Sequence, residues 1–161
     1  MIGGKTFPCA LGKQGIVRSK TEGDMKTPKG NFPLRAIYYR YDKLSKPIYS
    51  QIPMMALLEE DGWCDDPGDK AYNQSVMLPY HASAESLWRD DDLYDVIVIL
   101  GHNDDPVEKG RGSAIFLHVA AEYGGEESFE GTEGCIALRK QDLLEILPIL
   151  SPETTLTVMA H

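Results

Sequence analysis

Apolar positions along this chain recur mostly with the period of two that a pleated strand imposes, and the pattern predicts about eight short strands and two helices. The strongest segment is 94–101 (YDVIVILG), a β-branched run apolar on both faces and therefore expected at the centre of a sheet. Residues 32–40 (FPLRAIYYR) alternate as a second strand, with Leu34, Ala36 and Tyr38 on one face. Residues 6–20 (TFPCALGKQGIVRSK) read as a hairpin, 7–11 and 16–19 joined at Gly12-Lys13-Gln14-Gly15. Thr27-Pro28-Lys29-Gly30 reads as a β-turn, because Pro presets φ near −65° and Gly suits the last position. Shorter strands are expected over 53–58, 72–79 and 154–159, with 43–52 as loop.

Helical signals are sparse. Residues 83–89 (SAESLWR) start like a helix capped by Ser83, with Leu87 and Trp88 facing the core. Residues 140–150 carry an apolar stripe of Leu143, Leu144 and Leu147, Asp142 in the first turn, and Pro148 as a stop. The pattern amounts to a mainly β fold in one domain, residues 1–161, a length that supports one hydrophobic core.

Charge and cysteine content then exclude several functions. The formal net charge is −9, a surface that repels phosphate backbones, so nucleic acid is not an expected partner. No apolar run reaches membrane-span length, and residues 1–5 lack the charged start and apolar core of a signal peptide. That reading leaves the protein inside the cell, or exported by a route the sequence does not show. Cys9, Cys64 and Cys135 form neither a disulfide framework nor a CxxC zinc pair. Asp61, Asp65, Asp66 and Asp69 sit in an acidic, turn-rich stretch, 59–70, without the order of a calcium loop. No metal or organic cofactor is expected. Cys64, beside Trp63, reads as a small buried hydrophobe, and His102 is a candidate ligand or base whose default reading is an exposed turn histidine.

Chemistry concentrates in residues 112–138 (GSAIFLHVAAEYGGEESFEGTEGCIAL). An apolar strand ends in His118. A loop of small and acidic residues returns through Gly131-Thr132-Glu133-Gly134 to Cys135, where the apolar pattern resumes. If the two strands pair, an imidazole faces a thiol, the arrangement a cysteine nucleophile needs. Glycine before the cysteine lets backbone N–H groups turn toward an oxyanion. Spacing alone leaves two readings open: nucleophile with base, or buried cysteine with satisfied core histidine.

The chain resembles the YkuD-type L,D-transpeptidase catalytic domain. The resemblance is carried by His118, thirteen residues (119–131), then Thr132-Glu133-Gly134-Cys135-Ile136-Ala137, together with Thr27-Pro28-Lys29-Gly30-Asn31-Phe32 upstream. It implies a β-sandwich or flattened barrel with one or two short helices, and a peptidoglycan L,D-transpeptidase. In that reading Cys135 attacks the diaminopimelate–D-Ala bond of a tetrapeptide stem with His118 as base. Its thioester then passes to the amine of a second stem, giving a 3→3 crosslink. The resemblance further implies that a backbone carbonyl, that of Val119 here, orients the imidazole. It implies that the Gly134 and Cys135 N–H groups form the oxyanion hole, that carbapenems inhibit, and that the protein acts in the periplasm or cell wall.

Two positions depart from the family pattern. Glu133 replaces a second histidine, and Ala137 replaces an Asn or Arg; the His-to-Thr gap is also one residue short. Cations that recognise carboxylates must then come from elsewhere, with Arg89, Arg111 and Arg139 as candidates. Tyr72, Asn73, His81 and Trp88 are candidates to line the groove beside Thr132 and Glu133. An L,D-carboxypeptidase or other stem-peptide hydrolase would use the same two residues, and a non-catalytic domain that binds wall peptide is the reading Glu133 keeps open.

Overall fold

The computed structural model describes residues 4–122 and 128–159, so residues 123–127 of the acidic loop lie outside the described part. In chain order the strands are β1 (Cys9–Ala10), β2 (Ile16–Val17), β3 (Thr27–Pro28), β4 (Gly30–Tyr39), β5 (Met54–Ala56), β6 (Asp61–Cys64), β7 (Ser75–Met77), β8 (Ala84–Ser86), β9 (Val96–Leu100), β10 (Phe116–Val119), β11 (Ile136–Leu138) and β12 (Thr155–Val158). One helix, α1 (Lys140–Ile146), follows β11 and runs into a 3₁₀ turn over Leu147–Ile149.

Seven strands build the main sheet, which runs as an open path β1-β11-β10-β9-β4-β12 with β5 beside the outer half of β4. All five residues of β9 are buried, as a strand apolar on both faces requires. Val96, Val98 and Leu100 pack with Leu117, Val119 and Leu138 under Leu143, Ile146 and Leu147, so α1 and its 3₁₀ extension cover one face. Ile97 and Ile99 point the other way, with Phe116 and Cys135, beneath Leu57, Leu87 and the rings of Trp63 and Trp88. A three-stranded sheet in the order β7-β6-β8 roofs that second face. The result is a layered, mainly β fold, and each fully buried Leu or Ile in it contributes about 1.5–3 kcal/mol of burial.

The structure departs from the pattern-based expectations at five places. Gly12–Gly15 does turn, with the Gly15 N–H on the Gly12 carbonyl at 2.8 Å, but its flanks do not pair with each other. Instead β1 pairs antiparallel with β11, and β2 pairs parallel with β3. Thr27-Pro28 is accordingly extended, not a β-turn: Thr27 lies opposite Ile16 and Pro28 opposite Val17. In β4 a bulge inserts Arg35 between Leu34 and Ala36, which reverses the alternation. Leu34 therefore joins Ile37 on the helix-covered face, while Ala36 and Tyr38 join the other.

The acidic stretch 59–70 contains β6, which pairs antiparallel with both β7 and β8 while Trp63 turns its ring onto Phe116. Residues 83–89 contain the strand β8 and no helix. Glu85 pairs with Trp63, the Leu87 N–H reaches the Asp61 carbonyl at 2.9 Å, and Leu87 is fully buried. Strand pairing with that burial outweighs the weak propensity of a segment too short to nucleate a helix by itself.

Candidate active site

Strand β10 pairs parallel with β11, Leu117 opposite Ile136 and His118 opposite Ala137. Side chains alternate, so His118 and Ala137 share a face with Phe116 and with Cys135, the residue just before β11. The loop that closes this parallel pair must be long, which is why the histidine and cysteine stand so far apart in sequence. They meet as diagonal neighbours on one face of the sheet.

The carbonyl of Cys135 is gripped twice. Thr132 Oγ1 donates to it at 2.7 Å and Thr27 Oγ1 at 3.4 Å. Thr132 Oγ1 in turn accepts the Gly134 N–H at 3.1 Å, and Thr27 Oγ1 accepts the Gly12 N–H at 2.8 Å. The two motifs noted in the sequence, TPKG and TEGC, thus converge on one peptide group. Gly134 has φ +145°, and a Cβ there would lie 2.9 Å from the Lys26 carbonyl oxygen, so only glycine fits this approach to the cysteine.

The thiol donates to the Ala114 carbonyl at 3.1 Å and accepts the Phe116 N–H at 3.4 Å. Ala114 has φ +52°, an unfavourable conformation for a residue with a Cβ, and its N–H is pinned by Asn73 Oδ1 at 3.0 Å. No hydrogen bond joins the thiol to the imidazole in this resting arrangement. His118 Nδ1 lies 2.8 Å from the Val119 carbonyl oxygen. A carbonyl only accepts, so Nδ1 carries the proton and Nε2 is left as a base. The ring stands edge-on to Tyr94 at 5.3 Å.

Burial governs both groups. It holds the His118 imidazolium below the usual histidine range, so the ring is neutral near pH 7. It pushes the Cys135 thiol up to about 12; the Phe116 N–H and Lys20 oppose this, and Glu85 and Glu133 add to it. The resting pair is thiol and neutral imidazole, a general-base arrangement rather than a preformed ion pair. Alkylation of Cys135 by iodoacetamide is therefore expected to be slow at pH 7 and to climb with pH without a plateau below pH 9. Site-resolved mass spectrometry checks this, and a plateau between pH 5 and 8 would contradict it.

These groups open on a cavity of about 390 Å³. Among the residues singled out from sequence, Arg89, Thr132, Glu133, Gly134, Cys135 and His118 line it. The others stand elsewhere. Arg111 pairs with Glu108 and Arg139 with Glu122. His81 is exposed on Asp69, and Trp88 carries the Arg40 guanidinium 3.6 Å above its ring. Tyr72 is buried behind the wall, its hydroxyl donating to Glu22 and accepting the Gly112 N–H at 3.0 Å. Asn73 holds Ala114. Its amide also reaches the carbonyls of His102 and Asn103, and it accepts the Trp63 indole N–H. The Gly134 N–H is occupied by Thr132, and the Val119 carbonyl holds the imidazole. Glu133 is exposed at the cavity mouth, and Ala137 lines the wall where a longer side chain would project.

Sequence reasoning missed Lys13, Lys20, Glu22, Glu85 and Tyr94, all of which also line the cavity. The available signal for Lys20 was its place in a charged run, KTEGD, where a lysine four residues before an aspartate would ordinarily lie in solvent. Glu85 was hidden by the helical reading of its strand. Among the described residues no three His, Cys, Asp or Glu side chains converge as a metal site.

A family model described as the L,D-transpeptidase catalytic domain, YkuD, matches residues 3–158. No curated protein and no solved structure matches the chain.

Proposed function

Because the chain belongs to the YkuD family of L,D-transpeptidase catalytic domains, we propose that it is a peptidoglycan L,D-transpeptidase with Cys135 as nucleophile and His118 as general base. The observation that carries this reading is the neutral, tautomer-fixed imidazole on the same sheet face, and in the same cavity, as the buried thiol. Rotation about χ1 takes the thiol from the Ala114 carbonyl toward Nε2. His118 takes the thiol proton as Sγ attacks the diaminopimelate carbonyl of a tetrapeptide stem. The Cys135 N–H is the proposed oxyanion donor, since the Gly134 N–H is held by Thr132. Collapse of the tetrahedral adduct breaks the C–N bond. The departing D-Ala amine receives the proton from the imidazolium, and a thioester remains on Cys135.

The amine of a second stem then attacks the thioester, loses a proton to His118, and releases the thiol with a 3→3 crosslink formed. Water in place of the amine would leave a trimmed tripeptide, the carboxypeptidase outcome. Substrate is wall peptide, so the periplasm or cell wall is the proposed place of action; among the described residues no helix is long and apolar enough to cross a membrane. Carbapenems, as acylating agents, are proposed to react at the same thiol. The test is incubation with purified tetrapeptide muropeptides followed by mass spectrometry. Crosslinked dimers with free D-Ala are expected. Tripeptide alone would establish the hydrolase, and unchanged stems would overturn the enzymatic reading.

A further inference from the structure

Several charged side chains of the cavity are not used by this chemistry, and one of them, Lys20, is buried. Lys20 is 5% exposed, yet it lines the cavity that holds the thiol. Two glycines make its place. A Cβ at Gly112 would lie 2.8 Å from Lys20 Cγ and 3.0 Å from Cε, and one at Gly134 would lie 3.3 Å from Cε. Gly134 immediately precedes Cys135, so the end of the lysine runs alongside the nucleophile. Its charge is among those that favour the Cys135 thiolate.

The ammonium is anchored but not saturated. Nζ donates to Asp24 Oδ1 at 2.5 Å and reaches the Thr21 carbonyl at 3.4 Å. An ammonium has three N–H donors, so one remains for the cavity. Asp24 shares its negative charge with two other donors, the Thr21 and Lys26 N–H groups, each at 2.9 Å. Other cations on the lining are placed differently. Arg89 Nε and Nη2 close on the Asp91 carboxylate at 2.9 and 2.6 Å. Lys13 is exposed. The remaining charged lining includes Glu22, Asp65, Glu85 and Glu133, which would repel an anion.

We propose that Lys20 is the specificity residue that receives the carboxylate of the donor substrate, seating an anionic group beside the Cys135 sulfur. The inference rests on the reading of Cys135 as the nucleophile and adds what that reading lacked, the cation that selects a free carboxylate. Its chemical class of ligand is an acyl donor whose carboxylate lies within one residue of the attacked carbonyl.

Iodoacetate and iodoacetamide test it without a peptide substrate. In both, the thiolate sulfur bonds to the CH₂ carbon and iodide leaves; the reagents differ in bearing a carboxylate or a neutral amide. Both consume the same thiolate, so any change in thiol pKa cancels in the ratio of their rates. Rates are read at each cysteine by peptide mass spectrometry, with exposed Cys9, outside the cavity, as internal reference.

For Cys135, Lys20→Met is expected to lower the iodoacetate-to-iodoacetamide ratio roughly threefold to tenfold, the size of one partly shielded charge interaction. Lys20→Arg keeps the ratio. Asp24→Asn, which removes the competing carboxylate and retains an oxygen for one of the two loop amides, raises it. These opposite signs separate recognition from misfolding, which would move both variants the same way. A Cys135 ratio unchanged in Lys20→Met overturns the proposal while leaving the nucleophile assignment intact. Failure of both reagents to label Cys135 at any pH overturns both readings.

Discussion

Cys135→Ser and Cys135→Ala are both expected to lose release of D-Ala from a tetrapeptide muropeptide by at least about 10⁴-fold, because neither side chain supplies a thiolate and no second cysteine is among the described residues that line the cavity. The pair of variants separates chemistry from folding. The thiol bridges two backbone groups, the Ala114 carbonyl and the Phe116 N–H. Serine keeps a donor and an acceptor at that position. Alanine leaves both backbone groups unpaired inside the protein, at a cost of about 1–3 kcal/mol. Thermal unfolding should therefore rank wild type and Ser above Ala, while D-Ala release is absent from both variants. Retained release in Cys135→Ala would place the nucleophile elsewhere.

His118→Asn is the second large effect. Its amide N–H₂ can still reach the Val119 carbonyl, which His118 Nδ1 meets at 2.8 Å, but it provides no base at the Nε2 position. Turnover should fall on the order of 10²–10⁴-fold. The pH profile carries the diagnosis. In the wild type, kcat/KM should fall on the acid side only once pH drops through the depressed pKa of the buried imidazole, below the ordinary histidine value of about 6.5. That limb should vanish in His118→Asn.

The same depression links to stability. The unfolded chain binds a proton at this histidine at a higher pH than the folded one does. The stability contributed by the neutral ring is therefore complete above about pH 6.5 and is lost as pH falls through the lowered pKa. His118→Asn should be less sensitive to mild acid in a denaturation series. An unaltered acid limb of kcat/KM would rule out His118 as the base.

Much of this site was legible in the sequence because its signals are local. A strand apolar on both faces announces a sheet centre, and β9 occupies it. The Thr-x-Gly-Cys frame is a tight turn whose threonine hydroxyl bridges within three residues, from Gly134 N–H to Cys135 carbonyl. What the pattern could not reveal depends on pairing partners. The segment 7–19 has the alternation and glycines of a hairpin, yet its two halves serve different sheets. The TPKG segment has turn residues but is drawn straight by β2, which brings the Thr27 hydroxyl to the Cys135 carbonyl across 108 positions of chain. Arg35 inverts a face of β4 by a bulge that alternation alone does not reveal.

Charged cavity residues were the least visible class. Arg111, Arg139 and His81 looked available because their sequence neighbours gave no reason to exclude them. Each stands outside the cavity lining, on an acidic partner. Lys20 looked solvated and is buried, because the two glycines that make room for it lie 92 and 114 residues further along. Glu85 faces the thiol from the small sheet, where burial holds its carboxyl above the usual range despite the Tyr94 hydroxyl at 2.6 Å.

The central claim, a thioester between a wall-peptide stem and Cys135, is tested most directly by trapping it. Wild-type protein is mixed with a tetrapeptide muropeptide without an acceptor amine, quenched in acid, digested and mapped by mass spectrometry. The account predicts a tripeptide-stem adduct on the peptide containing Cys135, removed by hydroxylamine and absent from Cys135→Ala. D-Ala release with the adduct on Cys9 or Cys64, or with Cys135 unmodified throughout the time course, would contradict it.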